Sequence, residues 1–327
     1  MTGLRRAIAA LGLLASAGCV TASERSASCA IADGDRLWLV GALDNWRASA
    51  RADLHIDPHP LPDVVTLDAH CTYLLKTGRT DRMTSREHGG QPVLPDGKPV
   101  PLGPVSFATG AKDGYFVMSL PTVWHAAGVK SGLGVEGLMD GVLLHEIMHT
   151  RQAELAGPQL DTLARANGIG EDDLTDNIVQ ERFGEDPTYR AAYERERDLL
   201  FAAAGAASDA QARSLAREAL AALRARRARF FADENAFYEA FDDIFLTMEG
   251  MGQWLAYRHY VSPRGGAIDP TTALREVRRD GSQWTQDEGL ALILVVDRLL
   301  PDWQARAFRD PDWRAEALLA AATGDSQ

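Results

Sequence analysis

The sequence is poor in features that would assign it to several large protein classes. It has 3 cysteines in 327 residues, too few for a disulfide-dense scaffold. It has no surplus of positive charge. Its 46 acidic and 34 basic side chains leave a formal net charge of -12, which argues against a nucleic-acid partner, because such partners call for a basic face. Past Ala17 there is no apolar run long enough to cross a bilayer, and Ala291-Leu292-Ile293-Leu294-Val295-Val296 reads as a buried segment only. There is no internal repeat of fixed period. The arginine run Leu223-Arg224-Ala225-Arg226-Arg227-Ala228-Arg229 reads as a solvated helix face rather than a basic patch. What remains is a globular composition, 46% hydrophobic and 24% charged, sufficient for one substantial core or two small ones.

The N-terminus carries a targeting signal. Arg5-Arg6 followed by the apolar stretch Ala7 to Ala17 has the positive n-region and short h-region of a secretory signal peptide, so residues 1–18 are read as one. Ala15-Ser16-Ala17 fits an ordinary A-x-A cleavage site before Gly18. Ser16-Ala17-Gly18-Cys19 instead resembles a bacterial lipobox, with Ser16 where Leu is usual, and implies a lipidated Cys19. Cysteine parity favours the second reading, because it leaves Cys29 and Cys71 as a pair able to form a disulfide in an oxidising compartment. The expected location is the periplasm-facing side of a membrane, held by a lipid anchor rather than a transmembrane helix. A soluble periplasmic or secreted protein is the alternative.

Behind the signal, residues 19–28 are small and polar and read as a tether. From Cys29 to about Lys130 the chain is rich in Pro and Gly. Its short apolar runs, Leu37-Trp38-Leu39-Val40, Val64-Val65-Thr66-Leu67, Cys71-Thr72-Tyr73-Leu74-Leu75 and Tyr115-Phe116-Val117-Met118-Ser119-Leu120, predict strands. From Gly137 onward the periodicity is helical, over Tyr189 to Ala204, Ser208 to Phe231, Asn235 to Val261, Thr285 to Leu300 and Trp313 to Ala322. Thr285-Gln286-Asp287-Glu288 has the form of a capping box and predicts a helix start. Gly157-Pro158 predicts a helix stop. The expected class is α+β: a β-rich part over 29–130, a helical part over 131–261, and C-terminal helices over 262–327 packed on the same body.

His145-Glu146-Ile147-Met148-His149 is an H-E-x-x-H pentapeptide at the end of the apolar run from Gly137 to Leu144. On a helix, histidines four apart share a face about one turn apart, so both imidazoles can reach one zinc ion. Glu146 lies one position further round, where a carboxylate can take a proton from water. Here the sequence resembles the zincin metallopeptidases. That resemblance implies a Zn2+ cofactor, a peptide or protein substrate, and a mostly helical catalytic part with an edge strand beside the motif helix. Tyr115 to Leu120, the last strand before the motif, is the candidate edge strand, and Pro121 with Thr122-Val123-Trp124-His125 would end it near the cleft.

Two familiar zincin continuations are absent. The metzincin pattern would need Gly and His where Gln152 and Leu155 stand, and the thermolysin-like pattern would need a Glu where Ala166-Asn167-Gly168-Ile169-Gly170 stands, with no carboxylate until Glu171. The third ligand is instead sought in Asp242-Asp243-Ile244-Phe245-Leu246-Thr247-Met248-Glu249-Gly250-Met251-Gly252-Gln253-Trp254. There Glu249 sits among apolar neighbours, where an unpaired carboxylate is costly, and Gly250 and Gly252 suggest close approach by another backbone or a ligand. This resembles bacterial zinc-peptidase families with an H-E-x-x-H helix and a distant Glu-Gly helix. Glu181 is the second choice. For stabilising a developing oxyanion, Tyr260 is named first and His125 second, with Gln253, Tyr257, His259 and His88 behind them. A non-catalytic zinc- or partner-binding lipoprotein, or a metal hydrolase acting on a non-peptide amide or ester, are the competing readings.

Overall fold

The computed structural model describes residues 29–77, 82–109, 114–170, 173–312 and 314–324. The signal peptide, Cys19 and the tether lie outside them. Five short strands form one mixed sheet: β1 (Asp63–Leu67), β2 (Cys71–Lys76), β3 (Arg82–Glu87), β4 (Ser106–Ala108) and β5 (Tyr115–Ser119). The spatial order is β3-β2-β1-β5-β4. β1 and β5 run parallel, with Val64 beside Phe116, and the other neighbours are antiparallel. Alternation along the strands buries both faces. Val64, Phe116 and Met118 join the main core, whereas Val65, Leu67, Tyr115 and Val117 pack with Leu94 and Val100 from the long β3–β4 connection.

The class is α+β, as expected, but five local readings are corrected. Leu37-Trp38-Leu39-Val40 is helical, inside α1 (Asp33–Ala52). Its buried residues Leu39, Ala42, Leu43, Trp46 and Ala50 follow a helical stripe that extends well beyond the strand-like tetrapeptide and overrides it. Tyr115 to Leu120 is not the edge. β5 is buried throughout and enclosed by β1 and β4, as an apolar run without alternation favours. The edges are β3 and β4, and the one beside β5 is β4, only three residues long and half-buried. Pro121 opens a short helix, α2 (Pro121–Ala126), in the first-turn position where its missing N–H costs nothing.

The motif helix α3 (Val135–Asn167) runs straight through Pro158. The proline removes one backbone hydrogen bond, but the residues after it, Leu160 and Leu163, pack against a second core cluster that includes Ile178, Val179 and Phe183. The helix ends instead at Gly168, whose φ of 66° is the left-handed cap that glycine supplies. The remaining helices are α4 (Ile178–Phe183), α5 (Pro187–Ala204), α6 (Asp209–Phe230), α7 (Tyr238–Val261), α8 (Pro270–Arg278), α9 (Trp284–Leu299), α10 (Trp303–Ala307) and α11 (Ala315–Thr323). One core cluster takes in residues from Leu39 to Ala322, so the sheet and the helices share a single interior.

The other two corrections lie in that interior. The capping box at Thr285 does not form: α9 begins at Trp284 without a side-chain cap. Thr285 donates instead to the Asp176 carbonyl at 2.8 Å, and Glu288 is buried against Arg226 at 3.1 Å. The arginine run is a solvated face only in part, with Arg224 and Arg229 exposed. Arg226 and Arg227 are buried. Arg226 meets Glu196 at 2.8 Å, Glu288 at 3.1 Å and Asp242 at 3.4 Å, and Arg227 meets Asp242 at 3.0 Å. Carboxylates from α5, α7 and α9 converge on α6, and this pairing is what permits the guanidiniums to leave water.

Candidate metal centre

The site forms where α3 crosses α7. The two helices are antiparallel: Glu249 faces His145 and His149, Gly252 faces His145, and Tyr260 reaches the Leu138 carbonyl. The glycines set this approach. A Cβ on Gly252 would lie 2.6 Å from His145 Nδ1, and one on Gly250 would overlap the backbone of Gly289 on α9. The imidazole of His145 thus fits only because position 252 has no side chain.

The donor atoms converge. His145 Nε2 and His149 Nε2 are 2.8 Å apart, and Glu249 Oε2 and Oε1 lie 3.1 Å from His145 and His149 respectively. Three donors this close together can all stand about 2.0–2.2 Å from one ion. Among the described residues these three are the group with metal-ligand spacing. His145 and Glu249 are buried and His149 nearly so, and two imidazoles with one carboxylate are a donor set that suits zinc. Burial opposes a charged His149, but the Glu249 carboxylate beside it, aided by Glu146 and Gln152, pushes its pKa up to about 9. Burial also opposes a charged Glu249, yet the His149 charge and hydrogen bonds from both histidines hold it well below the ordinary carboxylate range. Protons and a divalent cation therefore compete for the same nitrogens.

Surrounding groups fix these side chains. Gln152 Oε1 is 3.0 Å from His149 Nδ1, which as the donor leaves Nε2 free as an acceptor. Gln286 Nε2 donates to Glu249 Oε2 at 3.1 Å, and Gln253 Nε2 donates in turn to Gln286 Oε1. Glu146 is half-buried and accepts from the Ser106 hydroxyl on β4 at 3.2 Å. A cavity of about 580 Å³ opens over these groups, lined by β4, by the 174–177 loop and by Tyr260 and Arg279. Asp176 enters from that loop. Burial, then the Glu249 charge, raise its pKa to about 6, against the pull of the two histidines.

The other residues singled out by sequence are distributed unevenly. Glu181 is exposed on α4, accepting from Thr175 at 3.3 Å, and takes no part in the donor group. His125 is a surface residue on α2, paired with Glu136 at 2.7 Å and outside the cavity wall. His88 faces the Asp68 carbonyl, His259 is buried 3.7 Å from Asp140, and Tyr257 does not line the cavity. Tyr260 does line it, but its hydroxyl donates to Leu138 at 3.1 Å. That carbonyl is seven residues upstream of His145, about 10 Å along the helix, so the hydroxyl stands apart from the donor triad. Gln253 also lines the cavity, and its amide serves the Glu249 chain through Gln286.

Four contributors escaped sequence reasoning. Gln152 was legible in principle, since it is three residues after His149 on the same face. Ser106, Asp176 and Gln286 have no local signature, because each comes from a different element and meets the site through the fold alone. No family model, no curated protein and no solved structure matches this chain.

Proposed function

We propose that this chain is an exported zinc metallopeptidase. The observation that carries the reading is the convergence of His145, His149 and Glu249 beside a Glu146 that faces the same cavity. The three would hold the ion. The chemistry that zinc supplies in such a site is polarisation of a carbonyl and acidification of water. Glu146 would accept the water proton at a carboxylate oxygen and return it to the leaving nitrogen, with Ser106 steadying Oε1. Strand β4 is paired with β5 on one side only, so its other side would receive an extended peptide backbone. Gln152 and Gln286 would hold the ligands in register.

Export rests on the Arg5-Arg6 signal and lipid attachment on Cys19. A disulfide between Cys29 and Cys71, whose Cα atoms are 5.8 Å apart, supports an oxidising compartment. No helix among the described residues is long and apolar enough to cross a membrane.

The test compares wild type and Glu146→Gln, both zinc-loaded, on short peptides, a denatured protein and ester substrates. The variant is expected to keep one equivalent of zinc and to lose peptide cleavage by about a hundredfold or more. Cleavage by Glu146→Gln at near wild-type rate overturns the mechanism. Zinc bound without hydrolysis of any peptide by the wild type overturns the peptidase reading, and turnover of esters alone points to a non-peptide hydrolase.

A further inference from the structure

Asp176, a half-buried carboxylate on the cavity wall, differs from the acidic groups that pack around α6 and α9. Glu196, Asp242, Glu288 and Asp287 each have an arginine within 3.4 Å, as partly desolvated carboxylates require. Asp176 has none. Among the described residues, its carboxylate's only side-chain partner is the neutral amide of Asn177, at 3.2 Å, although it lines the cavity beside the donor triad. It is also not a member of that triad: the three mutually close donors leave it out. Its position is fixed rather than loose, since the Asp176 carbonyl accepts from Thr285 on α9 at 2.8 Å. An anion held in a partly dry cleft and short of hydrogen bonds gains by meeting a cation.

We infer that Asp176 is a specificity-determining residue that binds a positively charged group of the substrate, an ammonium or guanidinium, where the 174–177 loop lines the cavity. The inference rests on the metallopeptidase reading for the identity of the substrate. The cation could be a lysine or arginine side chain or the peptide's own N-terminal ammonium, and the two share one chemistry. An ammonium or guanidinium would donate charge-assisted hydrogen bonds to the free carboxylate oxygen, and guanidinium could do so in bidentate fashion. Arg279, the arginine on the cavity wall, makes no ion pair with Asp176 among the described residues and so does not meet this need.

The test uses the zinc-loaded protein and three small probes, followed by NMR titration: N-acetylargininamide carries only the side-chain cation, glycinamide only the ammonium, and N-acetylglycinamide neither. At least one cationic probe is expected to bind the wild type about tenfold or more tightly than the neutral one. Asp176→Asn should abolish that difference and Asp176→Glu should retain part of it, both with unchanged zinc stoichiometry and unchanged melting. Equal binding of all three probes by the wild type overturns the inference. So does an Asp176→Asn variant that keeps the preference, or one that loses zinc, which would make Asp176 a metal ligand. Probe binding requires no turnover, so this result stands apart from the fate of the peptidase reading. If peptides are cleaved, the same variant should lower kcat/KM for cationic substrates selectively.

Discussion

Replacing Arg226 by methionine tests how the helices around the site are held together. Arg226 is 2% exposed and bonds Glu196 of α5, Asp242 of α7, Glu288 of α9 and the Tyr189 hydroxyl. Methionine fills much of the volume but leaves these carboxylates without their main cation. Asp242 keeps Arg227 at 3.0 Å, whereas Glu196 and Glu288 are left facing each other. Breaking a buried pair in this way costs about 3–5 kcal/mol, equivalent to roughly 6–10 °C of melting temperature for a chain of this size. The loss should depend on pH. Burial, then the nearby Glu196, raise the Glu288 pKa well above its ordinary value. The folded state therefore holds a proton that the unfolded chain releases above about pH 4.3, and this group costs more stability as pH climbs from there. Without Arg226 that cost grows, so the variant should lose more at pH 8 than at pH 5. Adding Glu288→Gln should recover part of the loss at pH 8. Thermal melting by circular dichroism at both pH values, on single and double variants, reads all three. A loss below about 1 kcal/mol, an equal loss at both pH values, or strict additivity of the two substitutions would refute the reasoning.

Three further outcomes follow from other contacts. Gly252→Ala should displace the His145 ring, because the new Cβ would stand 2.6 Å from Nδ1, and should weaken zinc binding about tenfold or more with little change in melting. Gly250→Ala meets backbone on α9 instead and should cost about 1–3 kcal/mol of stability; chelator competition and melting separate the two, and a reversed pattern refutes the assignment. Cys71→Ala should destabilise the protein by roughly 3–4 kcal/mol, from the loop closed by a bridge between cysteines 42 residues apart. Equal melting of the variant and the oxidised wild type would show that the bridge contributes nothing.

The sequence by itself determined whatever depends on neighbours a turn or so apart. His145 and His149 share a face because they are four residues apart on a helix, and Glu146 follows from the same geometry. The strands at Val64 and Cys71 and the long helices from Pro187 onward were legible for the same reason, since hydrophobic period is a local property. Gly250 and Gly252 also showed in the sequence that something comes close to α7, though not that it would be the Gly289 backbone and the His145 ring. Only the tertiary structure decided which carboxylate meets the histidines. Glu249 is 104 residues from His145; its apolar neighbours and flanking glycines favoured it over Glu181, but only the antiparallel packing of α7 on α3 brings it to the histidines. Packing likewise carried α3 through Pro158, drew Arg226 and Arg227 inside, and took Thr285 and Glu288 away from a helix cap. It also put β4, not the more apolar β5, at the edge of the sheet. In each case the local preference is worth about a kilocalorie or two, and burial of a shared core or pairing of desolvated charges outweighs it.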